Sequence, residues 1–253
     1  MKAVILAAGY GTRLYPLTLD KPKAFLEVGG KIILERVLEK IFSIKGCNEA
    51  YIVTNNRFYR FFVEWTRQTT NPAFKDKKID ILNDGTTSND NRLGAIGDIN
   101  FVLERRRIDD DIIVVGSDNV FDFDLRTFIK FARSKGEAAC VALYDVADIK
   151  KASLYGIAVL KNPDGQIEDF QEKPKEPRST LAATAIYYYP KMKVARFKEY
   201  MESGMSKDAP GNLIKWLNNT EKVFGFVFKD KWYDIGDLES LMKADKDYKG
   251  SKR

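Results

Sequence analysis

No histidine occurs anywhere in the 253 residues. That excludes every mechanism built on an imidazole: a Ser-His-Asp triad, a Cys-His pair, a His-rich metal site. Cysteine is scarce too. Cys47 and Cys140 match no metal spacing, and free thiols in a reducing compartment are the expectation. No apolar run reaches membrane-spanning length and no signal peptide opens the chain, so a cytoplasmic protein without a membrane partner is expected. Internal repeats and low-complexity linkers are lacking as well. Charge of one sign is only mildly in excess, 42 Lys and Arg against 36 Asp and Glu. The two signs interleave, as in Arg105-Arg106-Arg107 followed by Asp109-Asp110-Asp111. That pattern reads as a solvated surface, not as the one-signed patch with aromatics of a nucleic-acid binder.

What is present fits a globular chain able to bury a sizeable core, with 44% hydrophobic and 31% charged residues. Chemistry must then run on carboxylates, Lys and Arg, with or without a metal ion. Hydrophobic periodicity predicts strands over 2–6, 50–54, 78–82, 112–116 and 138–144. Helices are predicted between them, over 32–44, 57–68, 93–104 and 124–135. The alternation implies an α/β fold, a Rossmann-like three-layer α/β/α arrangement with a mostly parallel mixed sheet. After about residue 145 the pattern changes. Two strands within 156–172 flank an Asn-Pro-Asp-Gly turn, further strands cover 182–190 and 222–228, and a last helix covers 237–248 before Lys249, Lys252 and Arg253. These extra strands read as an elaboration of one sheet. The expectation is one domain over 1–253, its character changing between the first 120 residues and the rest.

The densest signal is the stretch LAAGYGTRLYPLTLDKPKAFL, residues 6–26. A strand ends at Leu6, and Ala7-Ala8-Gly9-Tyr10-Gly11-Thr12 follows. Small residues let backbone N–H groups approach phosphate oxygens, and glycine permits positive φ. Arg13 can grip phosphate oxygens bidentately, and Lys23 can act on them as a point charge. No Gly-Lys-Ser/Thr closes the loop and the third glycine of a dinucleotide fingerprint is missing. Gly-x-Gly alone reads as a tight βα turn.

The longer string resembles the sugar-nucleotidyltransferase family, the nucleotide-sugar pyrophosphorylases. It carries Gly9, Gly11-Thr12-Arg13, Pro16-Leu17-Thr18 and Pro22-Lys23 at the family's spacing. The resemblance continues in VVGSDNVF (114–121), LYGIAVL (154–160), IEDFQEKP (167–174) and WYDIGDLESL (232–241). Its glucose-1-phosphate thymidylyltransferase branch is the one the chain is similar to.

The resemblance implies transfer of a nucleoside monophosphate from a nucleoside triphosphate to a sugar 1-phosphate, with Mg²⁺. It implies catalytic roles for Arg13 on the leaving pyrophosphate, Lys23 on the triphosphate and Lys173 on the sugar phosphate. Leu6, Ala8, Gly9, Gly11, Thr12, Asn83 and Gly94 are implied at the nucleotide. Tyr155, Gly156, Glu172 and Thr184 are implied at the sugar, and Asp118 and Asp234 at the metal. A monomer or small homo-oligomer is expected.

Each residue also has a plainer reading. Asp118 alone would be a turn residue, and Glu172-Lys173 a solvated pair at a strand edge. Asp237 is better placed than Asp234 to cap the last helix. Tyr187-Tyr188-Tyr189 reads as strand packing.

Three features depart from the family pattern. The base-recognition segment 83–99 is lengthened. Asn83 stands where relatives often carry glutamine, and Ala185 stands where they often carry glycine, which leaves the base and the sugar open. The chain closes soon after the Asp-Ile-Gly segment, so no hexapeptide-repeat half and no extra assembly helices are expected. Two further readings stay open: transfer to phosphocholine or another non-sugar phosphate, and a catalytically idle regulatory subunit that binds nucleotide sugars.

Overall fold

The computed structural model describes residues 1–250. Lys252 and Arg253 of the basic tail lie outside the described residues. The elements alternate as the periodicity implies. Strand β1 (Lys2–Leu6) leads into the small-residue loop, followed by a hairpin of β2 (Glu27–Val28) and β3 (Lys31–Ile32). Then come α1 (Ile33–Phe42), β4 (Glu49–Thr54), α2 (Tyr59–Gln68), β5 (Lys78–Asn83) and α3 (Ala95–Arg106). Strands β6 (Ile112–Gly116) and β7 (Asn119–Phe121) precede α4 (Leu125–Ser134), β8 (Ala139–Asp145) and the short α5 (Ile149–Ala152). The rest comprises β9 (Gly156–Leu160), β10 (Ile167–Glu172), β11 (Leu181–Tyr189), α6 (Lys191–Glu202), α7 (Gly211–Asn218), β12 (Val223–Phe228), β13 (Trp232–Asp234) and α8 (Leu238–Gly250). The fold is Rossmann-like: a mixed sheet with mostly parallel core strands, flanked by helices. Among the described residues no helix is long and apolar enough to cross a membrane.

The contacts divide the chain into two compact units. The first comprises Met1–Arg92, Val115–Asp122 and Lys231–Arg253, the second Leu93–Val114 and Phe123–Asp230. In the first, β1, β4 and β5 run parallel, with Ala3 opposite Ala50 and Ala50 opposite Ile79. Helix α1 buries Ile33, Leu34, Val37, Leu38, Ile41 and Phe42, an i, i+4, i+8 stripe that the sequence spacing dictates. A second small core joins Leu14, Leu26, Val28, Ile33, Val120, Ile235 and Leu241. It packs the segment around the loop, β7 and the start of α8 together. Phe25 anchors the Pro22-Lys23 turn, its ring edge-on to Phe61, Phe62 and Trp65 at 4.7, 5.0 and 5.7 Å.

In the second unit β12 pairs parallel with β8, while β11 pairs antiparallel with β8 and β10 with β9. The Asn162–Gly165 turn closes as a β-turn, Gly165 N–H donating to the Asn162 carbonyl at 3.1 Å with φ 89° at Gly165. Strand β11 is irregular between Ala183 and Tyr187, where Ala185 takes φ 55°. That is left-handed backbone, which explains why glycine suits the position; here alanine carries the strain. Tyr187, Tyr188 and Tyr189 are buried, and Tyr188 donates to Asp111 Oδ2 at 2.7 Å. Cys47 and Cys140 are buried free thiols, and burial pushes Cys140 up to about 12.

Candidate active site

In the first unit the loop after β1 is held from behind. Thr54 Oγ1 donates to the Ala7 carbonyl at 3.2 Å, Asn55 Nδ2 to the Ala8 carbonyl at 2.9 Å, and Thr18 Oγ1 to the Gly11 carbonyl at 2.7 Å. Gly11 sits at φ 62°, and a Cβ there would lie 3.3 Å from Thr18. Side chains thus take the loop's carbonyls. The amides of Ala8, Gly9, Tyr10 and Gly11 meet no protein acceptor among the described residues. A row of backbone N–H groups left free by the protein can donate to the oxygens of an anion. Tyr10 steadies the loop through Thr86 Oγ1, 3.2 Å from its hydroxyl.

A cavity of about 210 Å³ opens over this loop. Leu6, Gly9, Gly11, Thr12, Arg13, Lys23 and Asp118 line it, with Ser117 and Gly236. Ala8 is not among its lining residues; its carbonyl is bound to Asn55. Lys23 Nζ stands 2.6 Å from Asp118 Oδ2, both side chains largely shielded. The Arg13 guanidinium leans over Gly236, 3.5 Å from where a Cβ would be, an ordinary van der Waals distance.

Asp118 follows β6 after one residue, Ser117, and Asp234 ends β13. The antiparallel pairing of β13 with β7 sets Asp234 opposite Asn119, and Ile235 N–H donates to the Asp118 carbonyl at 3.0 Å. Trp232 Nε1 locks the pairing by donating to Asn119 Oδ1 at 2.7 Å. Two carboxylates distant in sequence thereby become neighbours. Burial, then the Asp118 charge, pushes Asp234 up to about 6, against the pull of Lys23 and Arg13. Among the described residues no cluster of three or more acidic or thiol ligands occurs. Two neighbouring carboxylates suit Mg²⁺, which takes one or two carboxylates and completes its shell with phosphate oxygens and water; Lys23 lies on one of them here.

Asn83 and Gly94 are not among the residues that line this cavity. Asn83, at the end of β5, donates to Asn56 Oδ1 at 2.8 Å and accepts from Gly85 N–H at 2.9 Å. Gly94, in the second unit, precedes α3 with φ 79°, and a Cβ there would come within 2.5 Å of the Lys207 carbonyl oxygen. That close approach by itself demands glycine.

In the second unit the pairing of β9 and β10 gathers Tyr155, Gly156, Glu172 and Lys173. Glu172 stands opposite Gly156, and Lys173 N–H donates to the Tyr155 carbonyl at 3.0 Å. Lys173 adopts φ 46°, uncommon for a side chain of its size. Burial raises the Glu172 carboxyl above its ordinary range, with Lys173 and Lys215 opposing. Thr184 is buried on β11, its hydroxyl donated to the Ala142 carbonyl at 3.0 Å. Sequence reasoning did not single out Thr18 as the clamp on the loop, although it stands inside the quoted motif. Gly236 and Gly211 were also missed; only the first sits in a quoted segment.

A Rossmann-like α/β fold whose first strand ends in a free-amide loop, ringed by Arg, Lys and paired carboxylates, defines a nucleotide-handling class. The chain belongs to the nucleotidyl transferase family, whose model matches residues 2–251. It is 27% identical to a glucose-1-phosphate adenylyltransferase of Fusobacterium nucleatum, over 97% of this chain and 66% of that one. It is 32% identical to a UTP–glucose-1-phosphate uridylyltransferase of Haloferax volcanii, over 75% of this chain and 72% of that one. A Bacillus anthracis crystal structure assigned as a glucose-1-phosphate thymidylyltransferase, in complex with sucrose, shares the fold. Its TM-score is 0.84 at 24% identity, covering 98% of this chain and 95% of that one. The chain spans 54 to 66% of the length of the first curated relatives it matches.

Proposed function

We propose that the chain transfers a nucleoside monophosphate from a nucleoside triphosphate to a sugar 1-phosphate, giving a nucleoside diphosphate sugar and pyrophosphate. The observation that carries this reading is the row of free amides at Ala8–Gly11 beside Arg13 and Lys23. A sugar-phosphate oxygen attacks the α-phosphorus, an O–P bond forms, and the bond to the β-phosphate oxygen breaks with its electron pair leaving on pyrophosphate. The nucleophile is already an anion, so no general base is needed, in keeping with a chain that lacks histidine. Repulsion between polyanions and charge on the leaving group make up much of the barrier, and fixed donors and cations lower it.

In this reading the loop amides and Lys23 hold the triphosphate, and Arg13 receives the charge that grows on pyrophosphate. Lys173 holds the sugar phosphate, and Glu172 accepts hydrogen bonds from sugar hydroxyls. Asp118 and Asp234 hold Mg²⁺, which supplies further charge neutralisation on the phosphates. The chain's likeness is to glucose-1-phosphate thymidylyltransferases, while Asn83 and Ala185 leave the base and the sugar open. Incubation with Mg²⁺, each of the common triphosphates and a panel of sugar 1-phosphates, with pyrophosphate measured, tests the proposal. Release from one pair well above the others is expected. No release from any pair, with folded protein, overturns it.

A further inference from the structure

Glu172 ends β10 with its carboxylate over two glycines. A Cβ at Gly211, the first residue of α7, would lie 1.9 Å from Glu172 Oε2 and 3.0 Å from the Phe170 ring. A Cβ at Gly156 on β9 would lie 2.8 Å from the same oxygen. Such approaches are far inside van der Waals contact, so the carboxylate occupies the space two side chains would have filled. The backbone gives no other reason for glycine at 211. Gly211 is helical, with no positive φ, and alanine is the better helix former there. Among the described residues the Glu172 carboxylate has no hydrogen-bond partner; Lys173 and Lys215 act on it only through their charge. The carboxylate is half-buried with its lone pairs unclaimed by protein donors, and hydroxyl donors of a ligand would take them.

We propose that Gly211 is the positioning residue for the sugar acceptor: its missing side chain sets Glu172 in one place, lone pairs free, to receive a pair of sugar hydroxyls. This rests on the proposed transfer reaction. Gly156 contributes from the neighbouring strand, but it also faces the Phe170 ring at 2.7 Å, so its substitution would disturb packing as well. Gly211 is the cleaner probe. A methyl there collides first with the carboxylate at 1.9 Å and asks the Phe170 ring, at 3.0 Å, to give only slightly.

The test is a double-mutant cycle read as KM for each substrate. Gly211→Ala should raise KM for the sugar 1-phosphate by roughly tenfold to a hundredfold, the range for hydrogen bonds to a charged group, with KM for the triphosphate unchanged. Glu172→Ala should do the same. In the Glu172→Ala background the added Gly211→Ala should change nothing further, because the carboxylate it displaces is gone. An unchanged sugar-phosphate KM in Gly211→Ala overturns the assignment. So does an equal rise for both substrates, or full additivity in the double variant, since either marks damage to α7 and not displacement of Glu172. If wild-type protein turns over no sugar 1-phosphate at all, the transfer reading fails and takes this assignment with it. An active wild type with an indifferent Gly211→Ala sinks this assignment alone.

Discussion

At the scale of single residues, the first unit balances two carboxylates against two cations around one cavity. Lys23 lies on Asp118 at 2.6 Å, and Arg13 leans over Gly236 beside Asp234. Arg13→Ala should leave the fold intact, since the guanidinium packs into no core, and should remove most turnover. Loss of one preorganised charged contact costs on the order of 3 kcal/mol, about a hundredfold in rate. Pyrophosphate release with a matched circular-dichroism spectrum checks it, and near-normal turnover would refute the role. Asp118 and Asp234 carry a separate expectation. Asp118→Asn and Asp234→Asn should each raise the Mg²⁺ concentration for half-maximal rate and lower the maximum, and EDTA should abolish the rate reversibly. A variant keeping the wild-type Mg²⁺ dependence would remove that residue from the ligand set.

At the scale of elements, the termini decide which residues reach the cavity. Helix α8 starts where Asp237 Oδ1 accepts from Ser240 N–H at 2.8 Å, the capping role that its place ahead of Leu-Glu-Ser-Leu implied. Backbone hydrogen bonds at this cap hold the Asp237 carboxyl below its usual range. Helix α8 covers β2 and shares the small core with Ile235, next to Asp234. Asp237→Ala should cost about 1 kcal/mol, the usual worth of an N-cap, and lower Tm by roughly 2–4 °C for a chain of this length. Thermal unfolding followed by circular dichroism reads this directly. An unchanged Tm would mean that Ser240 Oγ, which already accepts from Gly236 and Asp237 N–H, carries the cap alone.

At the scale of the whole molecule, charge and pH set the limits of stability. Glu49 on β4 meets Lys2 on β1, the Tyr51 hydroxyl at 2.7 Å and Lys78 on β5 at 3.2 Å. The Lys2 contact first, then Tyr51, lowers its carboxyl from 4.5 to about 2. The folded value lies below the unfolded one, so this stabilisation is complete above pH of about 4.5 and is lost as pH falls toward about 2. Glu49→Gln should therefore unfold more readily than wild type at neutral pH, with the gap closing on acidification through that window. A gap constant from neutral pH down to about 2 would exclude Glu49 as its source.

The sequence by itself determined the order of strands and helices, the buried face of α1, the cap of α8 and the string from Gly9 to Lys23. These follow from local rules, periodicity and backbone chemistry, that operate within a dozen residues. The β2–β3 hairpin and β13 escaped it because strands of two or three residues leave no period to read. Asn83, Gly94 and Thr184 could be named but not placed, since their surroundings come from Asn56, Lys207 and Ala142. Only the tertiary structure decided that Asp118 meets Asp234, that Thr18 clamps Gly11, and that Gly211 gives way to Glu172. Each depends on chain segments brought together by strand pairing and core packing, and no spacing along the chain records which atoms will then collide or pair.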